Sequence, residues 1–232
     1  MINLILLPGM DGTGCLFAPF VKSLPNEWAS KKVAYPTDVP LEYDKLTNLA
    51  FTSLPNSGKY LLVAESFSGP IAINLAAQHP RGLMGVVLIC TFVTTPPILR
   101  YAPSRLVAKF PFWKVPTRIT MPMLFGNSGS PPMRNLLRET LKEVMPAVWR
   151  ARIEAVANVD VTTELQSIGV PILYIAASRD RIVPSSAGLE IERLAKSVQR
   201  VTVDGPHMLL QTKSEECIAQ IQNFMKGIGG SV

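Results

Sequence analysis

Apolar positions along the chain fall into short runs, separated by stretches in which they recur every three or four residues. Six runs have strand length, at 2–7, 32–35, 59–64, 85–90, 171–176 and 198–203. Several, such as Leu61-Leu62-Val63-Ala64 and Val86-Val87-Leu88-Ile89, are continuous rather than alternating. Strands buried on both faces read this way, as in a parallel sheet covered by helices. Helical spacing is found between the runs, over 16–24, 43–54, 67–78, 184–196 and 214–226. Strand–helix alternation of this kind predicts an α/β protein with a doubly wound, mostly parallel sheet of about six strands.

The rhythm breaks once. From 91 to 169 there is no convincing strand. The first half of this stretch is rich in proline and aromatic residues, as in Phe110-Pro111-Phe112-Trp113. The second half is helical from about 133 to 157, interrupted at Pro146. An insertion this long, with helices of its own, predicts a cap over the sheet rather than a loop. The core is therefore assigned to 1–91 and 165–232, and the cap to 92–164. There are no internal repeats.

Composition narrows the class. Of 232 residues, 47% are apolar and 17% charged, enough for a large core and unlike a disordered chain. No apolar run reaches the ~18 residues that span a bilayer. The opening run lacks a basic leader and a small-residue cleavage site, so it reads as a buried strand and a cytoplasmic location is expected. Three cysteines, Cys15, Cys90 and Cys217, match no metal spacing and read as reduced thiols. The net charge of +6 is uneven: between Thr91 and Arg150 nine Lys/Arg face only Glu139 and Glu143. A solvated helix face explains that excess, and nucleic acid is not expected as a partner. Transient contact with an anionic membrane surface or an acidic substrate stays open.

Chemistry concentrates at loops that follow the apolar runs. Leu61-Leu62-Val63-Ala64-Glu65-Ser66-Phe67-Ser68-Gly69-Pro70 is a buried strand, a small-x-Ser-x-small turn and the start of a helix. Such a turn thrusts its serine hydroxyl above the sheet and keeps the neighbouring chain close, which calls for small residues at Ala64 and Ser68. Ser66 is the candidate nucleophile, with Ser68 as a poorer rival because Pro70 would then take a small position. A serine nucleophile needs a base. Only two histidines exist. His79 ends the helix that runs away from Ser66, about 15 Å off at 1.5 Å per residue. His207 follows the last strand in Asp204-Gly205-Pro206-His207 and is the candidate base. Asp180, in Ser178-Arg179-Asp180-Arg181-Ile182-Val183-Pro184 after the penultimate strand, is the candidate orienting acid. Asp204, Asp160 and Glu164 are weaker rivals, and Asp180 has the alternatives of pairing with Arg179 or Arg181 or of capping the next helix. Leu6-Leu7-Pro8-Gly9-Met10-Asp11-Gly12-Thr13-Gly14 lets backbone N–H groups turn inward. Those of Met10 and Phe67 are the candidate oxyanion donors. The run lacks a Gly-Lys-Ser/Thr ending, so it is not a phosphate loop.

With these motifs in this order, the chain resembles the α/β-hydrolase superfamily, and its small bacterial carboxylesterases in particular. The likeness covers about 1–91 and 165–230. It implies an α/β-hydrolase fold that lacks the usual first two strands. It also implies cleavage of carboxylic esters through an acyl-enzyme, on a small acyl-ester substrate, with neither cofactor nor metal. Pro8 stands where larger members carry histidine, which leaves the backbone donors unaffected. The cap resembles nothing assignable. Its Phe112, Trp113, Met121, Met123 and Phe125 are expected either to form an acyl pocket or only to fasten the cap to the core. A short-to-medium acyl ester is the expected substrate. The alternatives are a thioesterase or acyltransferase acting on acyl-CoA or acyl-carrier protein, and a non-catalytic binding protein of the same fold.

Overall fold

A computed structural model describes residues 2–96 and 115–229. Six strands form one sheet: β1 (Ile2–Leu7), β2 (Trp28–Lys32), β3 (Tyr60–Glu65), β4 (Leu83–Ile89), β5 (Ile172–Ala177) and β6 (Val198–Val203). Their order is β2-β1-β3-β4-β5-β6, and every neighbouring pair is parallel. The pairing register sets Leu7 beside Ala64, Glu65 beside Ile89 and Ala177 beside Val203, so the strands end together.

Strand alternation divides the apolar runs between two cores. Ile5, Leu7, Leu62, Ala64, Val86, Leu88, Ile172 and Tyr174 face one layer. It contains α2 (Tyr43–Phe51), α3 (Gly69–Ala77), α7 (Thr162–Ser167) and α8 (Ser185–Leu194). Leu4, Leu6, Leu61, Val63, Val87, Ile89, Leu173 and Ile175 face the other, made by α1 (Ala18–Lys22), α9 (Leu209–Thr212) and α10 (Ser214–Gly227). Full burial of such side chains contributes about 1.5–3 kcal/mol each, and this two-sided burial explains the continuous apolar runs.

Between β4 and β5 lie α4 (Thr117–Phe125), α5 (Pro131–Lys142), α6 (Pro146–Ala157) and α7. Pro146 opens α6, a position where a missing N–H costs nothing. The helix α4 was not expected, because Pro122 lies inside it. The strand expected at 32–35 is found instead at Trp28–Lys32. Val33 and Tyr35 are buried and still bond to this region, Val33 N–H to Leu6 and Tyr35 N–H to Gly12, but they lie past the ladder. The helix expected at 16–24 is a 3-10 turn, Cys15–Phe17, followed by α1.

Candidate active site

A parallel sheet carries the loop after every strand to the same edge, so the loops after β1, β3, β5 and β6 share one face. The turn after β3 holds Ser66 at φ 51°, a left-handed conformation that a non-glycine residue adopts at a cost of about 1–3 kcal/mol. Thr91 Oγ1 secures it by donating to the Ser66 carbonyl. That contact explains Gly69, where an added Cβ would lie 1.9 Å from Thr91 Oγ1. Ser68 is fully buried; it donates to the Pro8 carbonyl and meets the Tyr35 hydroxyl at 2.8 Å. It is therefore spent on holding the β1 loop and has no freedom to attack.

His207 Nε2 lies 2.9 Å from Ser66 Oγ. Its Nδ1 lies 2.8 and 3.0 Å from the two Asp180 oxygens. An ionised carboxylate only accepts, so Nδ1–H donates to Asp180 and Nε2 is left to accept the Ser66 hydroxyl. The Ile182 and Val183 N–H groups also donate to Asp180 Oδ1, both at 2.8 Å. Burial pushes the Asp180 pKa up, but its bonds to His207, Val183 and Ile182 prevail and hold it below the ordinary carboxylate range. Asp180 pairs with neither neighbouring arginine. Arg179 instead reaches the exposed Asp204, the rival carboxylate, at 3.0 Å. Asp160 accepts the Thr162 N–H, Glu164 lies on α7, and His79 is exposed at the far end of α3.

The Pro8–Gly14 loop is fixed from two sides. Besides Ser68, the buried guanidinium of Arg152 on α6 donates to the carbonyls of Met10 (2.7 Å), Asp11 (2.8 Å) and Pro36 (2.9 Å). Gly12, at φ 73°, leaves the space that the guanidinium fills, since a Cβ there would sit 2.6 Å from Nη2. Asp11 is buried and accepts from Thr13 N–H and Oγ1; burial raises its pKa despite those bonds and Arg152. Phe67 is buried, stacked on Tyr43, and its carbonyl accepts the Tyr43 hydroxyl at 3.1 Å.

Sequence reasoning missed four residues around this centre: Arg152, Cys90, Glu65 and Gln211. The Cys90 sulfur, an Asp180 oxygen and a His207 ring nitrogen all lie within 4.8 Å of one another. Burial pushes the Cys90 thiol up, and Asp180 and Glu65 reinforce the shift, so it stays protonated. Glu65 was visible as a lone charge ending an apolar run. The other three lie far along the chain, and no local signal marks them.

Of the expected acyl-pocket residues, Met121 and Phe125 are buried with Leu16, Leu137 and Met208, where they tie α4 to the core. Met123 is half-buried, and Phe112 and Trp113 lie outside the described residues. A cleft of about 480 Å³ between α2 and α6, lined by Glu42, Asp44, Glu154 and Asp160 among others, contains no residue of the serine–histidine–aspartate group.

The sheet order, and the sequence Ser…Asp…His at its carboxyl edge, are those of the α/β-hydrolase fold. No family model matches the chain. It is 25% identical over 247 residues to a pimeloyl-[acyl-carrier protein] methyl ester esterase of Stenotrophomonas maltophilia, covering 97% of this chain and 93% of that one. It is 23% identical over 248 residues to a putative carbamate hydrolase, RutD, of Caulobacter sp., covering 97% and 91%. Among solved structures, the enol-lactonase from Burkholderia xenovorans superposes with a TM-score of 0.82 at 17% identity, over 97% of this chain and 91% of that one. The chain thus has the α/β-hydrolase fold and is similar over nearly its whole length to hydrolases and esterases.

Proposed function

We propose that the protein is a serine hydrolase that cleaves carboxylic esters through an acyl-enzyme on Ser66. The observation that carries this reading is the unbroken chain from Ser66 Oγ to His207 (2.9 Å) to Asp180 (2.8 Å). His207 takes the Ser66 proton as the oxygen attacks the ester carbonyl, and Asp180 stabilises the imidazolium that forms. The N–H groups of Met10 and Phe67 receive the oxyanion, each such donor being worth about 3–4 kcal/mol in the transition state. His207 then protonates the leaving alcohol, and an activated water releases the acid. Apart from the hydrolytic water, every step uses groups of this chain.

The substrate assigned is a small ester with a short-to-medium acyl chain. Relatives that include a methyl ester esterase and a carbamate hydrolase support hydrolysis of an acyl bond in general. The helices α4 to α6, placed between β4 and β5, take the part of a cap. A second reading, a thioesterase or acyltransferase on an acyl-carrier protein or acyl-CoA, is favoured by exposed Arg118, Arg138 and Lys142 on those helices. No helix among the described residues is long and apolar enough to cross a membrane.

The test is a panel of p-nitrophenyl esters from acetate to decanoate, run beside the matching acyl-CoA thioesters, on the protein and on Ser66→Ala. Hydrolysis of esters at rates at least about 10³-fold above the variant, with fluorophosphonate labelling of Ser66, is expected. Equal turnover by Ser66→Ala, or labelling elsewhere, would sink the proposal. Thioesters turned over far faster than esters would select the second reading.

A further inference from the structure

Glu65 ends β3 directly before Ser66, yet it is only 3% exposed. Gln211, 4% exposed on α9 and four residues after His207, donates from Nε2 to Glu65 Oε2 at 3.0 Å. The other oxygen of each side chain, Glu65 Oε1 and Gln211 Oε1, is buried with no hydrogen-bond partner among the described residues. Two orphaned acceptors in one side-chain pair is a costly arrangement, since buried polar atoms are almost always bonded. A single proton on the carboxyl would supply the donor that this pair of acceptors lacks. Placed on Glu65 Oε1, it turns that atom into a donor, and Gln211 Oε1 is the acceptor still lacking one.

The surroundings favour the proton. The titratable groups facing Glu65 are His207, Asp11, Cys90 and Cys217, from the loops after β6 and β1, the end of β4, and α10. Asp11 opposes a second anion, and both thiols are neutral because burial raises them. The Gln211 hydrogen bond and, among the titratable groups, a protonated His207 draw Glu65 toward ionisation, and burial outweighs both.

We propose that Glu65 is held as an uncharged carboxylic acid in a reciprocal two-bond pair with the Gln211 carboxamide, and that this pair positions the His207 segment against the Ser66 strand. The proposal rests on the reading of Ser66 as nucleophile and His207 as base. The pair joins residues 146 positions apart, one adjacent to the nucleophile and the other on the short helix that follows the base. Glu65 is thus a positioning residue. Loss of its proton removes one of the two bonds and sets an anion beneath the serine, so the alignment weakens as pH rises. Burial, opposed by Gln211 and His207, pushes the Glu65 carboxyl up to about 7, which puts that change near neutrality.

The experiment follows the Cδ resonance of ¹³C-glutamate across pH, assigned by its loss in Glu65→Gln, beside pH profiles of kcat/KM for three variants. A Glu65 midpoint near 7 is expected. Glu65→Leu and Gln211→Leu should lower kcat by roughly tenfold or more with little change in KM, as small misplacements of reacting groups do. Glu65→Gln, which rebuilds both bonds without an ionisable group, should rescue most of that loss and remove the alkaline fall in the wild-type profile. A midpoint in the ordinary range below about 5, or a Glu65→Gln profile that falls as the wild type does, would overturn the proposal. If the leucine variants do not fold, the wild-type titration and the Glu65→Gln profile decide by themselves. Absence of turnover on every ester and thioester would refute the proposed function, while the Cδ titration would still report on the pair.

Discussion

Arg152 donates to the Met10 carbonyl at 2.7 Å across 142 residues of chain, so a helix of the insertion holds the loop that carries a proposed oxyanion donor. The same guanidinium nitrogen also bonds the Asp11 carbonyl, and the side chain is 1% exposed. Substituting Arg152 with Met keeps volume but leaves three carbonyls and the Asp11 carboxylate without their cation. Hydrogen bonds to charged groups contribute about 1.5–3 kcal/mol each, so a net loss of ~3 kcal/mol or more in urea unfolding is expected. Activity of the folded fraction should fall mainly in kcat, because the loop serves the transition state. An active, fully stable Arg152→Met protein would contradict this role.

The assignment of the acid is decided by comparing two aspartates. Asp180→Asn should reduce kcat/KM by ~10³–10⁴-fold, since a neutral amide neither fixes the His207 tautomer nor stabilises its cation. Asp204→Asn should stay near wild type, because Asp204 is exposed and its pair with Arg179 is of the screened surface kind. Reversal of the two outcomes would move the acid to Asp204.

Gly69 is expected to tolerate no side chain. Its Cβ would meet Thr91 Oγ1 at 1.9 Å and Thr91 Cβ at 2.7 Å, and Thr91 is bound to the Ser66 carbonyl. Overpacking of this kind costs about 1–3 kcal/mol or more. Gly69→Ala should therefore lower the melting temperature by several degrees, about 2–4 °C per kcal/mol at this size, and displace Ser66. Calorimetry together with the rate of fluorophosphonate labelling checks both effects, and an unchanged melting temperature would contradict the close contact.

The sheet and the meeting of the three candidate residues at its edge were legible in the sequence for a common reason. Strands such as Leu61–Ala64 are buried on both faces, so their apolar runs are continuous, and parallel strands carry Ser66, Asp180 and His207 to one edge whatever the register. The edge strand Trp28–Lys32 escaped because it ends in exposed Lys31 and Lys32, while the nearby apolar Val33 and Tyr35 are buried by the loop after β1 rather than by the ladder. The expectation that Ser68 is merely small also fell short. Its hydroxyl is committed to Pro8 and Tyr35, a partnership across 60 and 33 residues that no local pattern encodes. Arg152 and Gln211 were illegible for the same reason, since their partners are brought to them only by the finished fold.

Stability should carry two opposing signatures of pH. Asp180 has a folded pKa below its ordinary value, so it binds a proton more weakly when folded than when unfolded. Its contribution is present above the unfolded value near ~3.9 and is lost as pH falls through the folded one. Glu65 behaves in the opposite sense, with a folded value of about 7 against 4.5 for an unperturbed carboxyl. Below 4.5 it is neutral in both states and costs nothing. Between 4.5 and about 7 the unfolded chain releases a proton that the folded protein retains, so stability falls as pH rises, by at most about 1.4 kcal/mol per pH unit. Above that range both states are ionised and the penalty is constant, at an upper bound of ~3 kcal/mol. Glu65→Gln removes this term alone and leaves Asp180 in place. The difference in unfolding free energy between Glu65→Gln and wild type, measured by urea titration from pH 4 to pH 9, should therefore grow in favour of the variant and level off above neutrality. A difference that is flat across the range would mean that Glu65 is already ionised in the folded protein.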